Sequence, residues 1–220
     1  MTVTAIDVSD LVFRYKKGNF TLSCPNLEFS LGELSLISGP NGSGKTTLSK
    51  LMCGILKPSQ GQVRIYGRTT TTLSLGEIGG QVGYLFQEPS RQLFAGTVWK
   101  EMTFVHDLLG EEQDASAGKA LQLLERFGLT ALKERSIYYL SGGEKQRLAI
   151  CTILMGGAQF LILDEPTVGL DKHNRETLYG MLDDLAAEGK GIAVITHEDE
   201  LVQRYPMARR IRVEQGRVSL

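Results

Sequence analysis

The chain has 220 residues, of which 42% are hydrophobic and 22% are charged, and its formal net charge is -1 at pH 7. This length predicts one large domain, and the balanced charge excludes the basic excess that would point to nucleic acid as a partner. The longest apolar run, residues 148–155, is far shorter than the roughly 20 residues that span a bilayer, and no signal sequence is apparent. We therefore expect a cytoplasmic protein. Cys24, Cys53 and Cys151 are widely spaced and odd in number, which predicts buried free thiols.

The first predicted elements are short strands that lead into a glycine-rich loop. Alternating apolar and polar stretches within the first 38 residues, including 3–8 and 34–37, predict strands and hairpins. After the loop at 39–46, apolar residues recur at the i, i+3, i+4, i+7 spacing of an amphipathic helix, which should end near Lys57-Pro58. These residues are Leu48, Leu51, Met52 and Ile55. The loop is thus predicted to join a strand to a helix.

The rest of the chain alternates between strand and helix patterns. Short strands are predicted at 61–67 and 81–86, and a helical region at 97–134 with turns at Gly110 and Gly128. Next come a helix at 142–155 and a strand at 160–163. They are followed by a helix with one apolar stripe, a strand at 192–196 and a hairpin at Gln215-Gly216; the stripe consists of Leu178, Met181, Leu182 and Leu185. This order predicts an α/β fold with a largely parallel sheet that is covered on both faces.

The glycine-rich loop fits the pattern G-x-x-x-x-G-K-[ST] of a phosphate-binding P-loop. Its residues are Gly39, Pro40, Asn41, Gly42, Ser43, Gly44, Lys45 and Thr46. Glycines in such a loop allow backbone N–H groups to surround phosphate oxygens, and the helix that follows adds the positive end of its dipole. We expect Lys45 to reach the β- and γ-phosphates, the Thr46 hydroxyl to bind Mg²⁺, and Thr47 to contact phosphate.

Asp164 and Glu165 follow the apolar strand at 160–163, so they are expected at the carboxyl edge of the sheet, where ligands of open α/β sheets bind. Asp164 is predicted to hold Mg²⁺. Glu165 is predicted to polarise an attacking water as the general base. A P-loop by itself does not distinguish kinases, GTPases and transport ATPases, so further residues must decide the class.

A second glycine-bearing helix start carries the deciding pattern. The run Ser141-Gly142-Gly143-Glu144-Lys145-Gln146-Arg147 combines a plausible N-cap serine with two glycines. It resembles the signature of the ATP-binding-cassette (ABC) ATPases and lies upstream of Asp164 and Glu165, as in that family. By the same resemblance, Tyr15 matches the aromatic residue that stacks on adenine, and Gln87 matches the Q-loop glutamine, a further ligand of the metal. Asp171 matches the D-loop aspartate, and His197 matches the switch histidine, a third catalytic residue beside Glu165 and Lys45.

The resemblance covers nearly the whole chain and implies a P-loop NTPase fold of the ABC type. That fold has a RecA-like core sheet, an N-terminal antiparallel β-subdomain and a helical signature subdomain, here at about residues 90–155 of a single domain spanning 1–220. It also implies ATP and Mg²⁺ as cofactors, held between two cassettes that bind head to tail. Residues Ser141, Gly142, Gly143 and Glu144 of one copy would close over the ATP of the other. The second cassette would be the same chain or a paralogue.

The segment 83–98 resembles the corresponding segment in ATPases of energy-coupling-factor (ECF) importers and related cobalt or nickel importers. This resemblance implies a peripheral subunit at the cytoplasmic side of the membrane, with an integral scaffold and a substrate-binding membrane subunit as partners. Ser90-Arg91 departs from the acidic residues that the group often carries there to meet scaffold arginines. By the same resemblance, we expect the chain to end near the boundary of the cassette, without the C-terminal domain of many relatives.

Two alternatives stay open at this point. The chain would serve another class of ABC importer or exporter, or it would be an ABC protein that acts on DNA or the ribosome without transport. The last alternative predicts a coiled-coil insertion, a second cassette or a basic face, and the sequence has none of these patterns.

Overall fold

The computed structural model describes the backbone of residues 3–109 and 113–220, and the side chains of these residues except 108, 109 and 113–115. The predicted turn at Gly110 lies outside the described residues. Within them, the strands are β1 (Thr4–Arg14), β2 (Thr21–Ser30), β3 (Leu34–Ser38), β4 (Gln60–Ile65), β5 (Arg68–Thr69), β6 (Val82–Leu85), β7 (Phe160–Asp164), β8 (Gly191–Ile195), β9 (Arg209–Glu214) and β10 (Arg217–Ser219). The helices are α1 (Lys45–Met52), α2 (Leu75–Gly79), α3 (Val98–Leu109), α4 (Gln113–Arg126), α5 (Gly142–Met155), α6 (Lys172–Ala187) and α7 (Asp199–Arg204).

All of the described strands form one mixed sheet, in the order β5-β4-β1-β2-β10-β9-β3-β8-β7-β6. The half that runs from β9 to β6 is parallel, as predicted, and the half formed by β5, β4, β1 and β2 is antiparallel. β7 and β8 are buried along their whole length, which is typical of parallel strands covered on both faces. β9 and β10 form the hairpin predicted at Gln215-Gly216, where both residues have positive φ.

The sheet separates two hydrophobic clusters. In β7, Leu161 and Leu163 belong to the cluster that contains α5 and α6, whereas Phe160 and Ile162 belong to the cluster that contains α1 and the antiparallel strands. This division follows from the alternation of side chains along a strand. Both faces of the sheet are therefore covered, as the sequence predicted.

Helix α1 ends earlier than predicted. Leu48, Leu51 and Met52 lie on its buried stripe, but the helix stops at Met52 and Ile55 is exposed. Gly54 adopts a left-handed conformation with φ of 70°, which is a common way to end a helix. The periodic pattern extended past this glycine, and the prediction of an end near Lys57-Pro58 was wrong.

Helices α3, α4 and α5 lie between β6 and β7 along the chain and pack against one another in the α5–α6 cluster. The division into a single domain with a helical subdomain at about 90–155 stays a prediction. Cys24, Cys53 and Cys151 are free and buried, as predicted. Within the described residues, none of the helices combines the length and the apolar character needed to cross a bilayer.

Candidate nucleotide-binding site

The P-loop connects β3 to α1 as predicted, and its glycines adopt conformations that other residues rarely take. Gly39 has a φ of 148°, and a Cβ atom at this position would lie 2.0 Å from the backbone oxygen of Val213. Gly44, the N-cap of α1, has a φ of 114°. Among the described residues no side chain caps α1, so the N–H groups of its first turn have no side-chain acceptor there. This arrangement is the usual one for binding an anion at a helix start.

Two P-loop side chains are buried. The Nζ atom of Lys45, a buried residue, donates hydrogen bonds to the backbone oxygens of Gly39 at 2.8 Å and Pro40 at 3.2 Å. The Ser43 hydroxyl is buried and has no hydrogen-bond partner among the described residues. Because an unpaired buried hydroxyl is costly, the loop fits a ligand that supplies oxygen acceptors.

The loop meets the carboxylate of Asp164 at the end of β7. Thr46 Oγ1 donates to Asp164 Oδ1 at 3.3 Å, and Tyr84 OH donates to Asp164 Oδ2 at 2.8 Å. Asp164 is only 2% exposed. A hydroxyl, a carboxylate and the amide of the nearby Gln87 are the hard oxygen donors that Mg²⁺ prefers. These residues therefore fit the predicted metal, and all of them line one small pocket of about 110 Å³.

Glu165 lies between a histidine and a lysine. His197 Nδ1 is 2.8 Å from Glu165 Oε2, and Lys45 Nζ is 3.9 Å from Glu165 Oε1. Glu165 is buried and has a φ of 51°, which is unusual for a residue other than glycine and is typical of functional sites. Its N–H donates to the backbone oxygen of Ile195 at 2.9 Å, which ties the residue to the end of β8. The sheet edge thus brings three predicted catalytic residues together.

A cleft of about 480 Å³ lies over these groups. It is lined by Tyr15, Phe20, Asn41, Gly42, Gly44, Lys45, Thr46, Thr47, Gln87, Glu165, Val168 and His197. Tyr15 is 41% exposed, and its hydroxyl is 3.0 Å from Thr47 Oγ1. Tyr15 and Phe20 form an aromatic wall, with ring centroids 6.2 Å apart. The cleft therefore offers an aromatic surface next to the P-loop.

Ser141, Gly142, Gly143 and Glu144 lie at the start of α5, and none of them is among the residues that line this cleft. Ser141 and Glu144 form a capping box: the Ser141 N–H donates to Glu144 Oε2 at 2.7 Å, and the Glu144 N–H donates to Ser141 Oγ at 3.3 Å. The backbone N–H of Ser141 is the main cause that lowers the pKa of Glu144 below its ordinary value. The capping box thus satisfies the N–H groups of Ser141 and Glu144 without a ligand.

Asp171 is the N-cap of α6, where its carboxylate accepts a hydrogen bond of 2.8 Å from the Asn174 N–H. The Asn174 side chain also accepts a bond of 3.0 Å from Arg147 Nη1 in α5. A Cβ on Gly143 would lie 2.3 Å from the Asn174 side-chain oxygen. The starts of α5 and α6 are therefore packed against each other, and the glycine is needed for this contact.

The comparison with known families agrees with this geometry. The family model described as ABC transporter matches residues 22–168, which include the P-loop, Gln87, the α5 start and the two acidic residues after β7. The chain belongs to the ABC transporter family. ABC ATP-binding proteins bind nucleotide and hydrolyse ATP, so this ABC protein is a nucleotide-binding ATPase.

Two relatives show how far the similarity extends. A putative ABC transporter ATP-binding protein of Pyrococcus horikoshii is 41% identical over 197 residues, which cover 90% of this chain and 75% of that protein. The energy-coupling factor transporter ATP-binding protein EcfA1 of Thermotoga maritima is 37% identical over 195 residues, which cover 89% of this chain and 73% of that protein.

Solved structures are similar as well. The structure of cbiO1 from Clostridium perfringens, described as part of the ABC transporter complex cbiONQ, matches with a TM-score of 0.88 and 31% identity, covering 99% of this chain and 87% of that one. A second match is a dimeric ATP-binding cassette in a post-hydrolysis state, bound to ADP and phosphate. Its TM-score is 0.82 and its identity is 26%, and the match covers 98% of this chain and 97% of that one. The ABC cassette fold predicted from the sequence is confirmed.

The structure of this ABC ATPase also shows residues that the sequence analysis did not single out. Phe20 lines the cleft beside Tyr15, and Tyr84 bonds to Asp164. The signal for Phe20 was faint, since an aromatic residue after a turn is usually part of the core. Tyr84 could have been found from its position in the strand predicted at 81–86, if the pairing of that strand with β7 had been known.

Proposed function

We propose that the chain binds and hydrolyses ATP with Mg²⁺ as the energising subunit of an ECF-type importer for a vitamin or for cobalt or nickel ions. The observation that carries this proposal is the junction of the P-loop with the ends of β7 and β8. There, Thr46 contacts Asp164, and Lys45 and His197 both approach Glu165. The similarity of this chain to the proteins named EcfA1 and cbiO1 supports the assignment to importers of this type.

The P-loop residues Gly39, Pro40, Asn41, Gly42, Ser43, Gly44, Lys45, Thr46 and Thr47 would surround the phosphates. Lys45 would exchange its bonds to loop carbonyls for bonds to phosphate oxygens, because a charged acceptor is stronger than a neutral carbonyl. Tyr15 would stack on the adenine. Thr46, Asp164 and Gln87 would hold Mg²⁺, which supplies charge neutralisation for the phosphates when it is bound.

Glu165 would act as the general base that takes a proton from the attacking water. Its carboxylate lines the cleft, and the bond to His197 fixes its orientation. The strained backbone of Glu165 is held by its N–H bond to Ile195, which keeps the side chain at the sheet edge. His197 is half-exposed and lines the cleft, and in its imidazolium form the Nε2–H would donate to a phosphate oxygen while the Nδ1–H donates to Glu165.

The α5 start would act on a second cassette. Because Ser141, Gly142, Gly143 and Glu144 do not line the cleft of their own chain, they are free to close over the nucleotide of a partner. Asp171 lies at the neighbouring start of α6 and would join the same interface. The dimeric cassette with ADP and phosphate, which has a similar fold, supports this arrangement.

In the importer, the chain would sit at the cytoplasmic face of the membrane and bind an integral scaffold subunit and a substrate-binding subunit. The segment after Gln87 is where contact with the scaffold is expected. Arg91 donates to both oxygens of Glu88, through Nε at 2.8 Å and Nη2 at 2.9 Å. The acidic residue that could meet a scaffold arginine is therefore already paired within this chain, and the departure at Ser90-Arg91 would weaken that contact.

The central test uses Glu165→Gln, which keeps the size of the side chain and removes the base. We expect ATP hydrolysis to fall by about 100-fold or more, while ATP still binds and a dimer accumulates with ATP and Mg²⁺. Light scattering measures the dimer. Glu200→Gln, an exposed carboxylate paired with Arg175, is the matched control and should behave as the unchanged chain. A Glu165→Gln protein that stays monomeric, even with paralogous cassettes added, would contradict the dimer.

The membrane assignment is tested by affinity purification of the chain with its partners from cells. An integral scaffold and a substrate-binding membrane protein are the expected partners. Recovery of ribosomes or DNA in their place would favour the alternative of an ABC protein without a role in transport.

A further inference from the structure

Tyr84 lies in β6, next to β7, on the side of the sheet from which Asp164 reaches the P-loop. In the parallel register Tyr84 pairs with Ile162, and Asp164 lies two residues further along β7. Because alternate residues of a strand share a face, the side chains of Ile162 and Asp164 project from the same face, beside that of Tyr84. The phenol is therefore placed by strand pairing and not by a flexible loop.

The carboxylate of Asp164 receives one hydroxyl on each oxygen. Tyr84 OH donates to Oδ2 at 2.8 Å, and Thr46 Oγ1 donates to Oδ1 at 3.3 Å. The bond from Tyr84 is the shorter of the two, and a bond from a hydroxyl to a buried carboxylate is stronger than one between neutral groups. Oδ2 is thus held firmly, while Oδ1 is held weakly beside the Thr46 hydroxyl.

Ser49 in α1 completes this set of hydroxyls. Ser49 Oγ is 3.1 Å from Tyr84 OH and 2.9 Å from the backbone oxygen of Thr46. The phenol has one proton, which goes to the carboxylate, so the Ser49 proton is shared between the phenol oxygen and the Thr46 carbonyl. The ring also packs edge-on against Phe86, with centroids 5.0 Å apart, which restricts its rotation.

We propose that Tyr84 is a positioning residue for the metal site: its hydroxyl holds Asp164 Oδ2 so that Oδ1, beside Thr46, is turned towards Mg²⁺. This inference rests on the proposed function, in which Asp164 and Thr46 hold the metal of the bound nucleotide. Partners that orient a ligating carboxylate commonly contribute much of the metal affinity of a site. If Tyr84 had only a structural role, its bond to Asp164 would serve to satisfy the buried phenol hydroxyl, and the loss of that hydroxyl would leave metal affinity unchanged.

The variant Tyr84→Phe removes the hydroxyl and keeps the ring. Mn²⁺ replaces Mg²⁺ as a spectroscopic probe, and free Mn²⁺ is measured by electron paramagnetic resonance in the presence of a non-hydrolysable ATP analogue. We expect the affinity for Mn²⁺ to fall by about tenfold. Binding of the same analogue in excess chelator should stay unchanged, and a high concentration of Mg²⁺ should restore most of the ATPase rate.

Tyr66→Phe is the matched control. The Tyr66 hydroxyl is also buried, but it has no hydrogen-bond partner among the described residues, and Tyr66 follows β4 in the antiparallel half of the sheet. This variant should have the Mn²⁺ affinity of the unchanged chain. Thermal unfolding of both variants without ligand shows whether the loss of the hydroxyl acts through general stability.

Equal Mn²⁺ affinities for Tyr84→Phe and the unchanged chain would overturn this inference and leave the proposed function intact. Loss of analogue binding in chelator, with no rescue by Mg²⁺, would overturn it in favour of a structural role. If the chain without substitutions binds the nucleotide analogue with the same affinity in the presence and absence of metal, both proposals would be overturned. If Tyr84→Phe does not fold, Ser49→Ala decides, since it removes the hydroxyl that contacts the phenol: about threefold weaker Mn²⁺ binding is expected, and an unchanged affinity would overturn the inference.

Discussion

The chain has two glycine-bearing helix starts, and they differ in how their N–H groups are satisfied. At α1, the N-cap is Gly44 and no side chain accepts from the first turn. At α5, Ser141 and Glu144 satisfy each other in a capping box. The α1 start therefore fits a ligand that supplies the missing acceptors, whereas at the α5 start a capping box already satisfies the N–H groups of Ser141 and Glu144. The difference teaches that the same sequence feature, glycines before a helix, has two structural forms, and it supports the proposal that one serves binding within the chain and the other closure over a partner.

The largest effect should come from the α1 start. Lys45→Ala removes the ammonium that would bond the phosphates, and we expect ATP affinity to fall by about 100-fold or more, since bonds between charged groups are worth several kcal/mol in sum. Calorimetric titration of the isolated chain with ATP measures this. Lys57→Ala, an exposed lysine that lies beyond α1, should have no effect. Similar affinities for the two variants would remove the basis for assigning α1 to binding within the chain.

A smaller effect should follow from damage to the α5 start. Ser141→Ala removes the acceptor for the Glu144 N–H, which should cost about 1 kcal/mol of the free energy of unfolding. It would also remove the donor proposed for the partner's nucleotide, so the ATPase rate should fall by at least about tenfold while ATP affinity of the isolated chain is unchanged.

The chain offers a matched control for this prediction. Ser74 and Glu77 form the same kind of capping box at the start of α2, away from the cleft. Ser74→Ala should cost about as much free energy of unfolding as Ser141→Ala. It should leave the ATPase rate unchanged. If both variants lose activity equally, the role of Ser141 is only to stabilise its helix.

The smallest effect concerns pH. The pKa of Glu144 is lowered in the folded chain, so the ionised form stabilises the fold above the ordinary pKa of a glutamate, and this contribution is lost as pH falls through the lowered value. We expect Glu144→Gln to remove about 0.5 kcal/mol of the difference in the free energy of unfolding between pH 7 and acidic pH, a typical value for an anion at a helix start. Denaturant titrations at both pH values measure this. An identical difference with and without the substitution would show that the carboxylate charge at α5 contributes nothing.

Most of the candidate site could be predicted because its residues are marked by local patterns. Each of the three motifs consists of residues that are consecutive in the sequence: the P-loop, the apolar strand that leads to Asp164, and the run Ser141-Gly142-Gly143. Tyr84 was missed because its contact with Asp164 joins neighbouring strands whose residues are 80 positions apart in the sequence. Phe20 was missed because an aromatic residue after a turn is usually part of the core. The end of α1 was misplaced for a related reason: the apolar period continued, but the left-handed Gly54 ended the helix first.

By itself, the sequence determined the order of strands and helices, the identity of the P-loop and the family of the chain, since these follow from periodicity and from short motifs. Only the tertiary structure decided how Lys45, Asp164, Glu165 and His197 meet at one edge of the sheet, and that the α5 start lies outside the cleft. Pairing of β6, β7 and β8 sets these positions, and such pairing depends on long-range packing of side chains that no local pattern records. The pairing of β6 with β7 also places Tyr84 beside Asp164, the carboxylate proposed to bind the metal in this ATPase.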